Sequence, residues 1–319
     1  MLAPICLFVF DRPLHTKKVL SSLAKNSESK NSIIYIYSDG IPKNVSDERL
    51  KNIISTRNII NSENRFKKVN IIINEKNRGL SNSLIKGITE VCNIHEKVIV
   101  VEDDLIVSQF FLKFMNDALN KYENINSIGA ICGYFYPIEV DQNIPETFFL
   151  SYNSCWGWAT WKRSWDEFEK DGNKLLKKIK STNSQKEFDF NNTVKHFKML
   201  KYQVIGINDS WAIRWAASLF LSSKLSLFPK LSLVKNIGFD GSGIHSSKEL
   251  GYEVKFLNDK INFLSDDFQE NVNIRKKLEY FFKKLNNFNN YQTLKRILSY
   301  SPKLILKKIK NRLNKFQFF

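Results

Sequence analysis

Blocks of apolar residues bounded by polar turns recur along the first half of the chain, at residues 5–10, 33–37, 69–73, 98–101 and 128–132. They are rich in Ile and Val and nearly continuous, the pattern of parallel strands buried on both faces. Between them the period lengthens. Leu80, Leu84, Ile88 and Val91 repeat at helical spacing, as do Phe111, Phe114, Ala118 and Tyr122, the second set following Ser108 as a candidate N-cap. Strands alternating with helices predict an α/β fold of βαβ units around a mostly parallel sheet. Residues 170–200 are polar and rich in Lys and Asn, and read as a helical insertion or a mobile loop. From about residue 250 the alternation ends. The segment from about 271 is basic with a helical pattern, so the chain divides into a main domain, 1–260, and a basic helical C-terminal extension, 261–319.

Composition supports a packed core. Of the 319 residues 43% are hydrophobic, 25 of them Phe, which excludes global disorder. No apolar stretch approaches the ~18 residues of a spanning helix. The first ten residues lack a basic leader and a small-residue cleavage site, and run straight into Asp11-Arg12-Pro13. They read as a first strand, and a cytoplasmic location is expected. The cysteines, Cys6, Cys92, Cys132 and Cys155, have no metal-type spacing and are expected as free thiols. Net charge is +17, and residues 271–319 hold thirteen Lys/Arg against one acid, Glu279, a net of +12. The basic surface is therefore expected at the C-terminus, and removal of 271–319 is expected to leave the sheet intact.

Polar residues gather where the strands end. Asp11-Arg12 follows the first, Ser38-Asp39-Gly40 the second, Asn77-Arg78-Gly79 the third and Glu102-Asp103-Asp104 the fourth. In open α/β sheets, ligands bind beyond the carboxyl ends of the strands. Three adjacent acids after a buried strand repel one another and are costly to desolvate. A solvated acidic turn would account for them. So would a hard divalent cation, Mn²⁺ or Mg²⁺, which offsets the cost and prefers carboxylate and phosphate oxygen.

These pieces resemble a GT-A glycosyltransferase, and within that fold the N-acetylglucosaminyltransferase I family and bacterial family 2-like sugar transferases. The similarity rests on FDRP (10–13), YSDG (37–40), NRGLSNSL (77–84), VVEDDL (100–105), WGWATWKRSW (156–165), NDSWAIRW (208–215) and SLVKNIGFDGSGIH (232–245), in that order. The basic tail has no counterpart in it. The resemblance implies a Rossmann-like, mostly parallel sheet flanked by helices. It also implies a metal-dependent, inverting transfer from a nucleoside-diphosphate sugar, a UDP-sugar such as UDP-N-acetylglucosamine first, to a hydroxyl of a surface glycan. Arg12, Asp39 and Arg78 would then serve the nucleotide, Glu102 the donor sugar, Asp103 the ribose and Asp104 the metal. Asp209 would be the catalytic base, although it also suits a helix N-cap. His245, after a Gly-rich segment, is a second candidate metal ligand. His15, His95 and His196 receive no role.

The six Trp residues all lie within 156–215 and are expected mostly in the core, with one or two toward the acceptor. The amphipathic Lys-rich stretch 303–313 suits an anionic membrane surface, in keeping with a glycan or lipid-linked glycan acceptor. No motif for base readout accompanies it, which argues against nucleic acid. The rival readings are a nucleotidyltransferase acting on sugar phosphates and a non-catalytic nucleotide- or glycan-binding protein of the same fold.

Overall fold

The computed structural model describes residues 1–139, 141, 143–240, 252–254 and 256–298. The chain opens as anticipated: β1 (Ile5–Val9), α1 (Pro13–Ala24), β2 (Ile33–Ser38), α2 (Asp47–Asn61), β3 (Lys68–Ile73), α3 (Leu80–His95) and β4 (Lys97–Glu102). Short β5 (Leu105–Val107), α4 (Phe111–Lys121), β6 (Ile128–Cys132), β7 (Thr147–Leu150) and β8 (Trp158–Trp161) follow. Then come α5 (Lys162–Trp165), α6 (Gly172–Ser181), α7 (Gln185–Phe188), α8 (His196–Val204), α9 (Trp211–Leu221), β9 (Leu225–Pro229), β10 (Val234–Asn236) and α10 (Val272–Leu298). Eight strands form a mostly parallel sheet in the order β3-β2-β1-β4-β8-β6-β9-β7, and β5 pairs β10 apart from it. All five strands foreseen from the apolar runs are present. Antiparallel β8, between β4 and β6, and β7, against β9, were not foreseen.

Register fixes where the loops emerge. Val9 pairs Ser38, Ser38 pairs Ile73, and Phe8 pairs Glu102. The four parallel strands therefore end almost flush, and the polar turns after them share one edge. Helices cover both faces. Strand residues Leu7, Ile36 and Ile99 pack with α1 and α4, while Cys6, Phe8 and Val100 pack with α3 and α9. On α3, Leu84, Ile88 and Val91 are buried as the spacing requires, but Leu80 faces solvent, because the helix begins there and its first turn projects beyond the sheet. Ser108 does not cap α4 directly. It lies two residues before the Phe110 N-cap and accepts the Phe110 N–H (3.3 Å). Buried Asn26 reaches across instead, its Oδ1 accepting the Leu112 N–H at 2.8 Å.

The polar insert is helical. Leu175, Ile179, Phe188, Phe197 and Leu200 of α6–α8 pack on Ile213 and Ala217 of α9 as a satellite core. Five tryptophans are buried. Trp158, Trp165, Trp211 and Trp215 stack together, with Trp158 5.6 Å from Trp211 and Trp165 5.2 Å from Trp215. The four cysteines are free thiols.

The start of the basic segment is core, which corrects the expectation that 271–319 can be removed without cost. Ile274, Leu278 and Phe282 of α10 are buried against Phe135, Phe148, Phe190 and Phe228. Arg275 stands over the Phe190 ring (4.2 Å) and bonds Glu270 and Glu279. The apolar face of α10 was visible as periodicity, but the surface that receives it is assembled from strands distant in sequence. Leu278→Ala should therefore lower the free energy of unfolding by about 2–5 kcal/mol, the cost of a buried cavity. Lys276→Ala, on the exposed face, should change it by about 0.5 kcal/mol or less. Urea denaturation of the two variants checks this, and equal midpoints would place Leu278 outside the core.

Candidate functional site

Two clusters of polar groups stand on the common strand edge. The first joins the ends of β1 and β4. The connection from β1 to α1 is only three residues long, and Pro13 at the first helical position fixes the turn. Arg12, immediately before Pro13, donates from Nη1 to Asp104 Oδ2 at 3.1 Å and lies 3.9 Å from Asp103 Oδ1. The backbone N–H of Phe10 donates to Asp103 Oδ2 at 3.3 Å. Burial, followed by the charges of Asp104 and Asp103, pushes the Glu102 carboxyl up to about 8, against the pull of Arg12. Burial and then Asp104 push Asp103 up to about 7. Asp104 is raised as well, chiefly by burial, although Arg12 holds it back. Three carboxyl groups face one guanidinium, so the cluster becomes net negative only as Glu102 and Asp103 ionise.

The start of the Gly-rich segment singled out at 232–245 lies over this cluster. β10 pairs β5, and the Ile237 N–H donates to the Asp104 carbonyl at 2.8 Å. Gly238 lies so close that a Cβ there would stand 2.4 Å from Asp104 Oδ2. His15, on the first turn of α1, contacts the Ile237 carbonyl (3.3 Å) and Asp240 (3.1 Å) through Nε2. Its position three residues after Arg12, one helical turn further on, was the available signal. Half-buried Trp156 lies against Phe239 of this loop at 5.6 Å.

The second cluster forms at the N-terminus of α3. The Asp39 carboxylate accepts from the N–H groups of Gly40, Arg78 and Gly79 and from the Asn74 side chain, all at 2.9–3.1 Å. Its oxygens are thus taken up in shaping the 74–79 loop. Gly40 permits that loop to pass, since a Cβ there would lie 2.2 Å from the Lys76 carbonyl carbon. The Arg78 side chain is exposed. Arg214 ties the start of α9 to this cluster. It is buried, bonds Ser81 Oγ at 2.6 Å, and meets Asp209 Oδ1 at 3.4 Å. Asp209 itself is exposed, and Ser210 is the N-cap, accepting the Ile213 N–H at 3.2 Å. The alternative role of Asp209 as a cap is thereby removed.

The structure thus brings Arg12, Glu102, Asp103 and Asp104 together, and places Asp39 and Arg78 in one loop assembly that Arg214 links to Asp209. His245 lies outside the described residues. Among the described residues no three His, Cys, Asp or Glu side chains converge as metal ligands. The carboxyl oxygens around Asp104 are nevertheless of the type that a hard cation takes, with its remaining ligands from phosphate.

No family model and no curated protein matches the chain. Among solved structures it is similar to a 1–349 form of S. aureus TarS, at 11% identity and a TM-score of 0.38 over 72% of this chain and 59% of that one. A second S. aureus TarS structure has 16% identity and a TM-score of 0.34 over 51% of this chain and 28% of that one. The chain therefore spans less than two thirds of either. A UDP-glucose pyrophosphorylase complexed with UDP-glucose has 14% identity and a TM-score of 0.37, over 73% and 92%. Likenesses this distant carry no argument about activity.

The raised carboxyl of Glu102 has a consequence for stability. Between its ordinary value of 4.5 and about 8, the folded chain keeps a proton that the unfolded chain has released. Folding stability therefore falls as pH rises through that window. In a chelator, Glu102→Gln should raise Tm at pH 8 and flatten the decline between pH 5 and pH 8. A variant with the wild-type slope would show that Glu102 ionises normally.

Proposed function

We propose that the chain is a glycosyltransferase. It takes a nucleoside-diphosphate sugar, a UDP-sugar first, and transfers the sugar with inversion to a hydroxyl of a glycan or lipid-linked glycan. The observation that carries this reading is the gathering of Arg12, Glu102, Asp103 and Asp104 at the carboxyl edge of β1 and β4. An anionic cluster of this kind binds a diphosphate only through a cation. Asp104 would hold Mn²⁺ or Mg²⁺, with His245 as the other candidate ligand. When bound, the ion would neutralise charge on the departing diphosphate.

The other roles belong to the chain itself. Asp103 and Glu102 present oxygens to the hydroxyl groups of the ribose and donor sugar. Arg12 balances the acids and keeps Asp104 in place. Asp39 contributes by fixing the loop that carries Arg78, whose exposed cation is free to approach the nucleotide. Asp209 takes the proton of the acceptor hydroxyl as it attacks the anomeric carbon, and Arg214 orients that carboxylate. An inverting displacement needs no protein nucleophile. The three-residue turn between β1 and α1 also speaks against a nucleotidyltransferase, which would place a longer Gly-rich, basic loop there.

A panel of UDP-, GDP- and dTDP-sugars, assayed with and without Mn²⁺, tests the proposal. One donor should raise Tm in a Mn²⁺-dependent manner, and Asp104→Asn should abolish the rise while the protein stays folded. Asp209→Asn should lower kcat at least ~100-fold and leave donor affinity nearly unchanged. Turnover should release nucleoside diphosphate. Pyrophosphate exchange in its place would identify a nucleotidyltransferase, and Mn²⁺-independent binding by Asp104→Asn would remove the metal from the scheme.

A further inference from the structure

The main domain carries a basic surface of its own. Residues 171–207 hold eight Lys against three acids, a net of +5, which equals the whole net charge of residues 1–270. All eight lysines are exposed. They lie on or between α6 and α8, which pack together so closely that a Cβ on Gly172 would meet the Gln203 side chain at 2.2 Å.

Beside these lysines lies an apolar ridge. Met199 and Tyr202 on the outer side of α8 are 41% and 37% exposed, and Ile205 and Ile207 in the following turn are 65% and 64% exposed. The turn folds back onto the helix. Ile207 N donates to the Tyr202 carbonyl at 2.8 Å, and Asn208 Nδ2 donates to that of Met199 at 3.2 Å. The four apolar side chains thus belong to one local assembly, with Lys198 and Lys201 on the same helix and Lys195 at its N-cap. The chain then passes directly to Asp209. Leu80, 54% exposed, precedes the Ser81 that bonds Arg214.

Exposed apolar side chains set among lysines are the composition of a helix that lies on an anionic bilayer, with the apolar groups entering the headgroup region and the cations meeting lipid charge. We propose that α8 and the 205–207 turn form a docking surface for an anionic membrane. It is separate from the stretch at 303–313 and would set Asp209 against the lipid face. Its consequence, that the acceptor hydroxyl is carried on a membrane lipid, rests on the reading of Asp209 as the base. The docking itself does not.

Cosedimentation of the full chain with vesicles tests this, without any donor or acceptor. Vesicles containing phosphatidylglycerol should bind the protein, pure phosphatidylcholine should not, and high salt should weaken the attachment. The double variants Ile205→Ser/Ile207→Ser and Lys198→Gln/Lys201→Gln change only exposed side chains. Each should lower the affinity about tenfold or more, with Tm unchanged. Wild-type binding by both variants would assign the attachment to another part of the chain and overturn the proposal. Equal binding to both vesicle types would do the same. So would a failure to bind vesicles together with a dimer that the Ile variant dissociates, which would make a second copy the occupant. Because binding is read without turnover, failure of the glycosyltransferase reading leaves this result unaffected.

Discussion

At the end of β4 three consecutive carboxyl groups leave the sheet beside one guanidinium, and the surrounding architecture is arranged about that imbalance. The pairing of Phe8 with Glu102 brings the end of β1 alongside the acids. The short turn into α1 then leaves Arg12 no course but across them. Gly238 lets a second backbone approach Asp104, and His15 holds that backbone from the other side. Ionising all three acids at this half-buried site is costly, so the empty protein holds Glu102 and Asp103 protonated well above the usual carboxyl range. A ligand that supplied positive charge there would offset that cost.

Most of the sheet was legible because its first half consists of local βαβ units. Each apolar run there is one strand, and each helical pattern is one crossover. The antiparallel strands were not legible. β8 carries Trp158 and Trp161, whose aromatic content suited a core without specifying a strand between β4 and β6. β7 and β9 pair only after α9 has passed, so their partnership depends on contacts far apart in sequence. Leu80 belonged to the right periodicity but sits beyond the edge that would have buried it.

The candidate site divides in the same way. The strand-end motifs at Arg12, Asp39 and Glu102-Asp103-Asp104 were readable because strand ends converge by topology. Residues that act through another residue were not. Arg214 lies in an apolar helix, where only the buried geometry shows that it connects Asp209 with Ser81. His15 had no motif, and its role depends on a loop more than two hundred residues away. Charge arithmetic over long windows also concealed a local fact, since the near-neutral remainder of the main domain diluted the lysines of α6 and α8. α10 presents the converse case, a segment counted as a charged tail whose first turns complete an aromatic cluster.

The tryptophan distribution gives the molecule an optical property. Trp165, Trp211 and Trp215 each lie about 6 Å from the buried Trp158 between α3, α9 and the sheet, close enough for excitation to pass among them and for their near-ultraviolet dichroism to couple. Trp161 is enclosed on the other face. Trp156 alone is half-buried, against the Phe239 loop that closes on Asp104. A collisional quencher in solution therefore reaches chiefly one indole, and that indole packs against the segment covering the acids. Quenching reports the state of that loop, while the dichroic band reports the integrity of the sheet behind it, so the two can be followed separately in the same unlabelled sample.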